Sequence, residues 1–344
     1  MTPSLIPRPS GPRALLDSAL DLAVVPGFGS PGYRLRSGAW SPPPAVSRVA
    51  GADVIVTGAS GGIGEAASTG LAARGARVHM VARDPGRLAV AAERVRGRAG
   101  PASPAPETWV CDLSDLDAVR DFAARFRERC PDLRGVLHNA GVLTDERRRS
   151  PQGHELTVAT HVLGPLALTG LLAPELRAAV PSRVVLVSSG GMYTARLHVD
   201  DLELQRQQFD GPRFYAHAKR LQVIAAELLA DRWRADGIAV YSMHPGWVRT
   251  GGLDQALPGF ARLARPLLRD PQQGADTAVW LLAAPEAPAG PSGFWHDRRP
   301  RPLHRLPRTK ETEAERRAAW AELVRLTGFD DHAGERGEHR VRTR

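Results

Sequence analysis

From Asp53 onward the chain alternates short apolar runs rich in β-branched residues with longer alanine- and arginine-rich stretches of helical spacing, and that alternation leaves few folds open. The runs are DVIVTG (53–58), RVHMVAR (77–83), TWVCDLS (108–114), GVLHNAG (135–141), RVVLVSS (183–189) and IAVYSMHPG (238–246). Their nearly continuous apolar character marks strands buried on both faces, as in a parallel sheet covered by helices on both sides. Ser114, with Asp117 three residues on, reads as a helix start, and LDAVRDFAARFRERC carries helical spacing to Pro131. The Pro-, Gly- and Ser-rich stretch 96–107 reads as a surface loop. With 344 residues, 42% of them hydrophobic, the chain can bury a substantial core. No internal repeat is evident.

VTGASGGIG joins the first run to the alanine-rich stretch GEAASTGLAARG and sets glycines at Gly58, Gly62 and Gly64. Glycine permits backbone angles that other residues resist. Without side chains, the loop lets a pyrophosphate approach a helix N-terminus, where free amides and the helix dipole favour negative charge. A glycine string alone is weak evidence; its place between a strand and a helix makes it specific.

This TGxxxGxG spacing resembles the short-chain dehydrogenase/reductase family, and further motifs extend the resemblance over roughly residues 50–300. It implies a Rossmann-type doubly wound parallel sheet of about seven strands flanked by helices, with Ser60 and Ile63 of the glycine loop also at the cofactor. In dinucleotide folds an acid at the end of the second strand binds ribose hydroxyls, whereas an arginine suits a 2′-phosphate. VARD places Ala82 where that acid is expected and Arg83 beside it, which favours NADP(H) over NAD(H). Alternatively Arg83 is one more surface arginine, with Asp84 turned inward. The resemblance also brings Asp112 near the adenine, although a turn or cap role fits it equally. HNAG supplies Asn139, Ala140 and Gly141, with His138 in place of the family's first asparagine, and HPGWVRT puts Pro245 and Gly246 beside the nicotinamide with Thr250 near its carboxamide or the phosphates.

FYAHAKR holds the candidate chemistry. A carbonyl reductase must give a proton to oxygen as hydride reaches carbon; tyrosine can do so, and a nearby cation would lower its ordinary pKa of about 10. Tyr215 and Lys219 stand four apart, hence on one helix face. With four tyrosines and two lysines in the chain, chance yields such a spacing about 0.02 times. By the resemblance, Ser189 hydrogen-bonds the substrate oxygen, with Ser188 as the alternative, and LHVDDLELQRQQFDG (197–211) covers the site. The long interval from Ser189 to Tyr215 resembles the retinol-dehydrogenase-like branch. Where the family carries an asparagine that holds a relay water, THVLG presents His161; it either relays protons, making activity sensitive to pH near neutrality, or is a satisfied core histidine.

The expected activity is interconversion of a carbonyl and an alcohol on a small, lipophilic substrate, and the alternative is a catalytically weak NADP(H)-binding sensor module. The formal charge of +9 comes from arginines scattered along the chain without interleaved aromatics, so no specific nucleic-acid partner is expected. Cys111 and Cys130 have neither disulfide-framework nor metal-ligand spacing, and no metal is expected. No apolar run reaches the roughly 18 residues of a membrane span. The expectation is a soluble cytoplasmic protein, with peripheral attachment through ALLDSALDLAVV (14–25) as the alternative and the oligomeric state, monomer or homo-oligomer, open. Organisation reads as an N-terminal extension (1–50) packing on the main domain, a single domain (51–300), a C-terminal extension (301–330) with a helix opened by Thr312 and Glu315, and a disordered tail (331–344).

Overall fold

The structure, a computed structural model, describes residues 12–40, 47–130, 132–250, 259, 262, 264–287 and 293–329; the expected tail, 331–344, lies outside them. Ahead of the sheet come helices α1 (Pro12–Leu22), α2 (Val24–Phe28) and α3 (Ser30–Ser37). The sheet strands are β1 (Asp53–Thr57), β2 (Arg77–Ala82), β3 (Glu107–Val110), β4 (Leu133–His138), β5 (Ser182–Val187), β6 (Ile238–Met243), β7 (Phe294–His296) and β8 (Arg299–Arg301). Between and after them run α4 (Gly62–Ala72), α5 (Pro85–Ala99), α6 (Leu116–Arg127), α7 (Gly164–Leu171), α8 (Ala173–Ala178), α9 (Gly211–Trp233), α10 (Pro271–Ala283) and α11 (Glu313–Thr327).

Strand order is β3-β2-β1-β4-β5-β6-β7-β8, parallel except for β8. The sheet thus has one strand more than expected, because Asp297 and Arg298, at φ 52° and 56°, turn the chain back into a short hairpin that the sequence RRPR does not signal. Side chains alternate between two cores, as strand geometry requires. Ile55 of β1 faces the core of Phe122, Phe126 and Leu221, while Val54 and Val56 face that of Leu71, Met80 and Leu281. Because β1 and β4 are neighbours although β2 and β3 intervene in sequence, the loops leaving them open a crevice where doubly wound sheets bind ligands.

Several local readings change. Helix α5 runs to Ala99, so the loop begins later than 96. The cap of α6 is Asp115, which accepts from the amides of Asp117 and Ala118, and the helix closes at Arg127; Ser114 instead bonds Asp112. By contrast, the capping box of Thr312 and Glu315 opens α11, and left-handed Gly328 closes it. Trp320 and Leu323 of α11 are buried against the body, with Arg232 stacked on the Trp320 ring.

Helices α1 to α3 are tied on by charge. Buried Asp297 accepts from Arg36 (2.8 Å) and from Arg269 (2.6 and 2.9 Å), while Asp17 bridges Arg36 and Arg301.

Candidate active site

The glycine loop is shaped by close approach. Gly58 (φ 65°) leaves no room for a Cβ, which would lie 2.7 Å from Ala140 Cα, and a Cβ on Gly64 would overlap the Gly58 carbonyl and stand 2.6 Å from Asn139 Nδ2. Asn139 and Ala140 are thereby pinned to the end of β1: both backbone amides donate to Thr57 Oγ1, and Asn139 Nδ2 donates to the carbonyls of Thr57 and Gly58. Thr57 itself donates to Leu137 O. Sequence reasoning missed Thr57, although its place before Gly58 at the strand end was the signal. Helix α4 begins at Gly62 without a side-chain cap, so its first amides remain available to an anion. Thr250 stands against the loop, its Cγ2 3.2 Å from where a Gly62 Cβ would be. Ser60 and Ile63 occupy the same loop, Ile63 packing against the core.

At the end of β2, Arg83 is exposed. Asp84 does not turn inward; it caps α5 by accepting from the Arg87 amide. One turn into α5, Arg87 reaches within 4.0 Å of the Gly61 Cβ position, a second cation beside the loop that the VARD reading missed. Asp112 makes a turn, accepting from the Ser114 amide and hydroxyl.

Ser189, Tyr215 and Lys219 are brought together beyond β5. The Ser189 hydroxyl accepts from the Gly191 amide and lies near enough to the Tyr215 phenol to lower its pKa. Ser188 faces away and donates to Lys219 O, a structural bond inside the fold. Lys219 Nζ lies 5.5 Å from the Tyr215 ring centre and donates to Val187 O (2.7 Å) and Gln222 Oε1 (3.3 Å). Burial pushes the Lys219 pKa down to about 7. The Tyr215 pKa is raised, contrary to expectation: burial raises it, the nearby Ser189 hydroxyl opposes this, and the ammonium is turned to the Val187 carbonyl rather than the phenol.

His161 sits in a π-helical turn (Ala159–Leu163) that faces Tyr215, the two rings 5.3 Å apart and nearly perpendicular. Its Nε2 meets both the amide (2.8 Å) and carbonyl (3.0 Å) of Val142, and its buried Nδ1 has no partner among the described residues. Burial, then the Lys219 charge, holds its pKa well below the usual 6.5. The expected titration near neutrality is therefore corrected: this imidazole is neutral. His138 is likewise neutral, pushed down to about 3 by burial, with Nε2 on Thr169 Oγ1.

Pro245 and Gly246 follow β6. Gly246 (φ 85°) is required because a Cβ would overlap the Arg269 guanidinium and lie 2.6 Å from the Phe28 carbonyl. Phe28 O also accepts from the Trp247 amide, and its ring packs edge-on to His244, 4.4 Å between centres. His244 Nδ1 in turn accepts from the Gly190 amide. The N-terminal segment therefore buttresses both loops of the site, a link no local motif announces. The segment between Ser189 and Tyr215 is anchored by His217, two residues past Tyr215, whose ring nitrogens meet the carbonyls of Arg196 and Leu202.

A short chain dehydrogenase family model matches residues 52–199. Dehydrogenase/reductase SDR family member 12 of Bos taurus is 38% identical over 288 residues, spanning 83% of this chain and 89% of that protein. The chain belongs to the short-chain dehydrogenase/reductase family. Within it, the chain falls in the branch of that relative, the branch its MHPGW and VSSGGMYT motifs resemble. A candidate daunorubicin C-13 ketoreductase of Streptomyces sp. (strain C5) is 35% identical, covering 74% of this chain and 85% of its own. A solved short-chain-dehydrogenase candidate from Shigella flexneri, complexed with NADP, shares 26% identity with a TM-score of 0.55, covering 72% of this chain and 97% of that one. The chain is accordingly a nicotinamide-dependent oxidoreductase acting on CH–OH or carbonyl groups.

One further cluster lies at the opposite strand ends. Ligand atoms of Asp53, His79 and Cys130 fall within 4.8 Å of one another. His79 is already engaged by Asp53 (2.9 Å) and the Trp109 indole (3.1 Å), and Asp53 by Arg77, so two of the three groups are committed to hydrogen bonds within the chain.

Proposed function

We propose that the protein is an NADP(H)-dependent carbonyl reductase, or the reverse alcohol dehydrogenase, for a lipophilic substrate. The observation that carries this reading is the grouping of Ser189, Tyr215 and Lys219 beyond β5, with Ser189 acting on the phenol and the Lys219 ammonium 5.5 Å from the Tyr215 ring centre. Glycines 58, 62 and 64, the uncapped start of α4, and Thr250 fit a dinucleotide pyrophosphate. Arg83, with Arg87, would hold a 2′-phosphate by charge-assisted bonds. Asp112, Asn139, Ala140, Gly141, Pro245 and Gly246 would line the remainder. The bound nicotinamide supplies or accepts hydride at the substrate carbon.

Ser189 holds the substrate oxygen, and Tyr215 delivers its phenolic proton to that oxygen. Ser189, close to the phenol, would orient it for this transfer. Lys219 reaches ribose hydroxyls and Tyr215 once its ammonium leaves Val187 O, so its field then favours phenolate and offsets the burial that raises the tyrosine pKa. His161, neutral and held by Val142, contributes a fixed wall beside Tyr215 with an Nδ1 that has no partner among the described residues; any relay through it passes a hydrogen bond, not a charge.

The sensor alternative draws on that same replacement of the family's asparagine. NADPH oxidation against lipophilic aldehydes and ketones separates the two, with Tyr215→Phe alongside. Turnover that falls by about 10²-fold or more in the variant, with NADPH affinity little changed, is expected of the reductase. Tight NADPH binding with no Tyr215-dependent turnover on any compound favours the sensor.

A further inference from the structure

Helix α1 is amphipathic, and it packs the other way round from what its pattern suggests. Its acids turn inward: Asp17 pairs with Arg36 and Arg301, and Asp21 with Arg305, while Leu20 is buried between them in sequence. Its apolar stripe, Leu15, Ala19 and Leu22 at i, i+4 and i+7, faces outward, with Leu15 and Leu22 74% and 81% exposed. Val24 and Val25 of α2, which follow it directly in sequence, and Leu35 of α3 are exposed as well. With Leu16, 46% exposed, six of the ten exposed large apolar side chains among the described residues lie within this short segment. A soluble surface does not keep such a cluster without a partner.

Charge says which partner. Residues 12–40 contain no carboxylates besides Asp17 and Asp21, both of which are neutralised inward. The preceding residues 1–11 carry one arginine and no acid. Arg34 beside Leu35 is exposed, as is Arg265 on the turn whose Leu267 carbonyl abuts Gly29. Protein hot spots draw on Trp, Tyr and Arg, with Leu and Val under-represented. An aliphatic stripe flanked by cations is what lies in a lipid interface.

We infer that the outer face of α1 and α2 docks on an anionic lipid surface. No helix of the described residues is long and apolar enough to cross a membrane, so this attachment is peripheral and reversible. It is independent of the catalytic reading, since none of the docking side chains belongs to the site.

The test is co-sedimentation of the full chain with phosphatidylcholine vesicles, with and without about one-third phosphatidylglycerol. The wild type should pellet with the anionic vesicles and be released by salt. Leu22→Asp/Val25→Asp should weaken that partition about tenfold or more, whereas Val90→Asp, at an exposed site elsewhere, should not. All substituted side chains are exposed, and unchanged circular dichroism and thermal melting would verify that the fold is intact. The inference is overturned if the wild type pellets with neither vesicle, or if the double variant pellets as well as the wild type. It is equally overturned if sedimentation velocity shows a dimer that the double variant dissociates, which would make the occupant a second copy.

Discussion

Asp297→Asn is the most informative single change, because it removes a charge and almost nothing else. Asparagine keeps the volume and one acceptor oxygen, and it tolerates the left-handed φ of 52° found here. What it leaves behind is Arg269, 1% exposed, and Arg36, 7% exposed, without their shared anion. Arg36 retains Asp17, but Arg269 is left with no carboxylate, only neutral partners: the carbonyls of Gly27, Gly29 and Pro245, the His296 imidazole and the Tyr33 ring. Breaking a buried pair from one side costs about 3–5 kcal/mol, a large share of a usual stability of about 5–15 kcal/mol.

The pH dependence gives a second reading of the same change. Burial would raise the Asp297 pKa, but His296, Arg269 and Arg36 together hold it well below the usual range. At neutral pH the guanidiniums carry this, because His296 is itself pushed down to about 4 and uncharged. A carboxylate whose folded pKa is depressed contributes stability above its unfolded value, about 4, and loses it as pH falls further. Urea unfolding followed by circular dichroism should therefore show a wide gap between wild type and variant at pH 7 that narrows below pH 4. A gap under about 1 kcal/mol at pH 7, or one that does not change in acid, would refute the reasoning.

Gly64→Ala places a methyl group on the Gly58 carbonyl and near Asn139, so stability should drop by about 1–3 kcal/mol and NADPH binding should weaken; an unchanged melt and titration would reject the close-packing account. Arg83→Gln and Arg87→Gln should each raise the NADPH dissociation constant about tenfold or more with little effect on NADH, and equal losses for both cofactors would exclude contact with the 2′-phosphate. His161→Asn should leave any limb of the kcat/KM profile between about pH 6 and 7 where it was, since the imidazole is already neutral there. A limb that disappears with the substitution would show that His161 titrates after all.

How far the sequence reaches depends on whether a residue's role is decided locally. Six strands were legible because burial, on both faces for all but the edge strand β3, forces apolar runs, and the glycine loop because Gly58, Gly62 and Gly64 answer backbone demands within a single turn. Tyr215 and Lys219 share a helix face by spacing alone, and the box of Thr312 and Glu315 closes within four residues. Ionisation is different: the pKa values of Tyr215, Lys219 and His161 follow from desolvation and from partners such as Val187 and Val142, far away in sequence. The eighth strand, the buttressing of Gly246 by Phe28 and Arg269, and the outward stripe of α1 likewise depend on which distant segments meet. An amphipathic pattern states that a helix has two faces, but only the arginines waiting at 36, 301 and 305 decided that the acidic face of α1 would be the one buried.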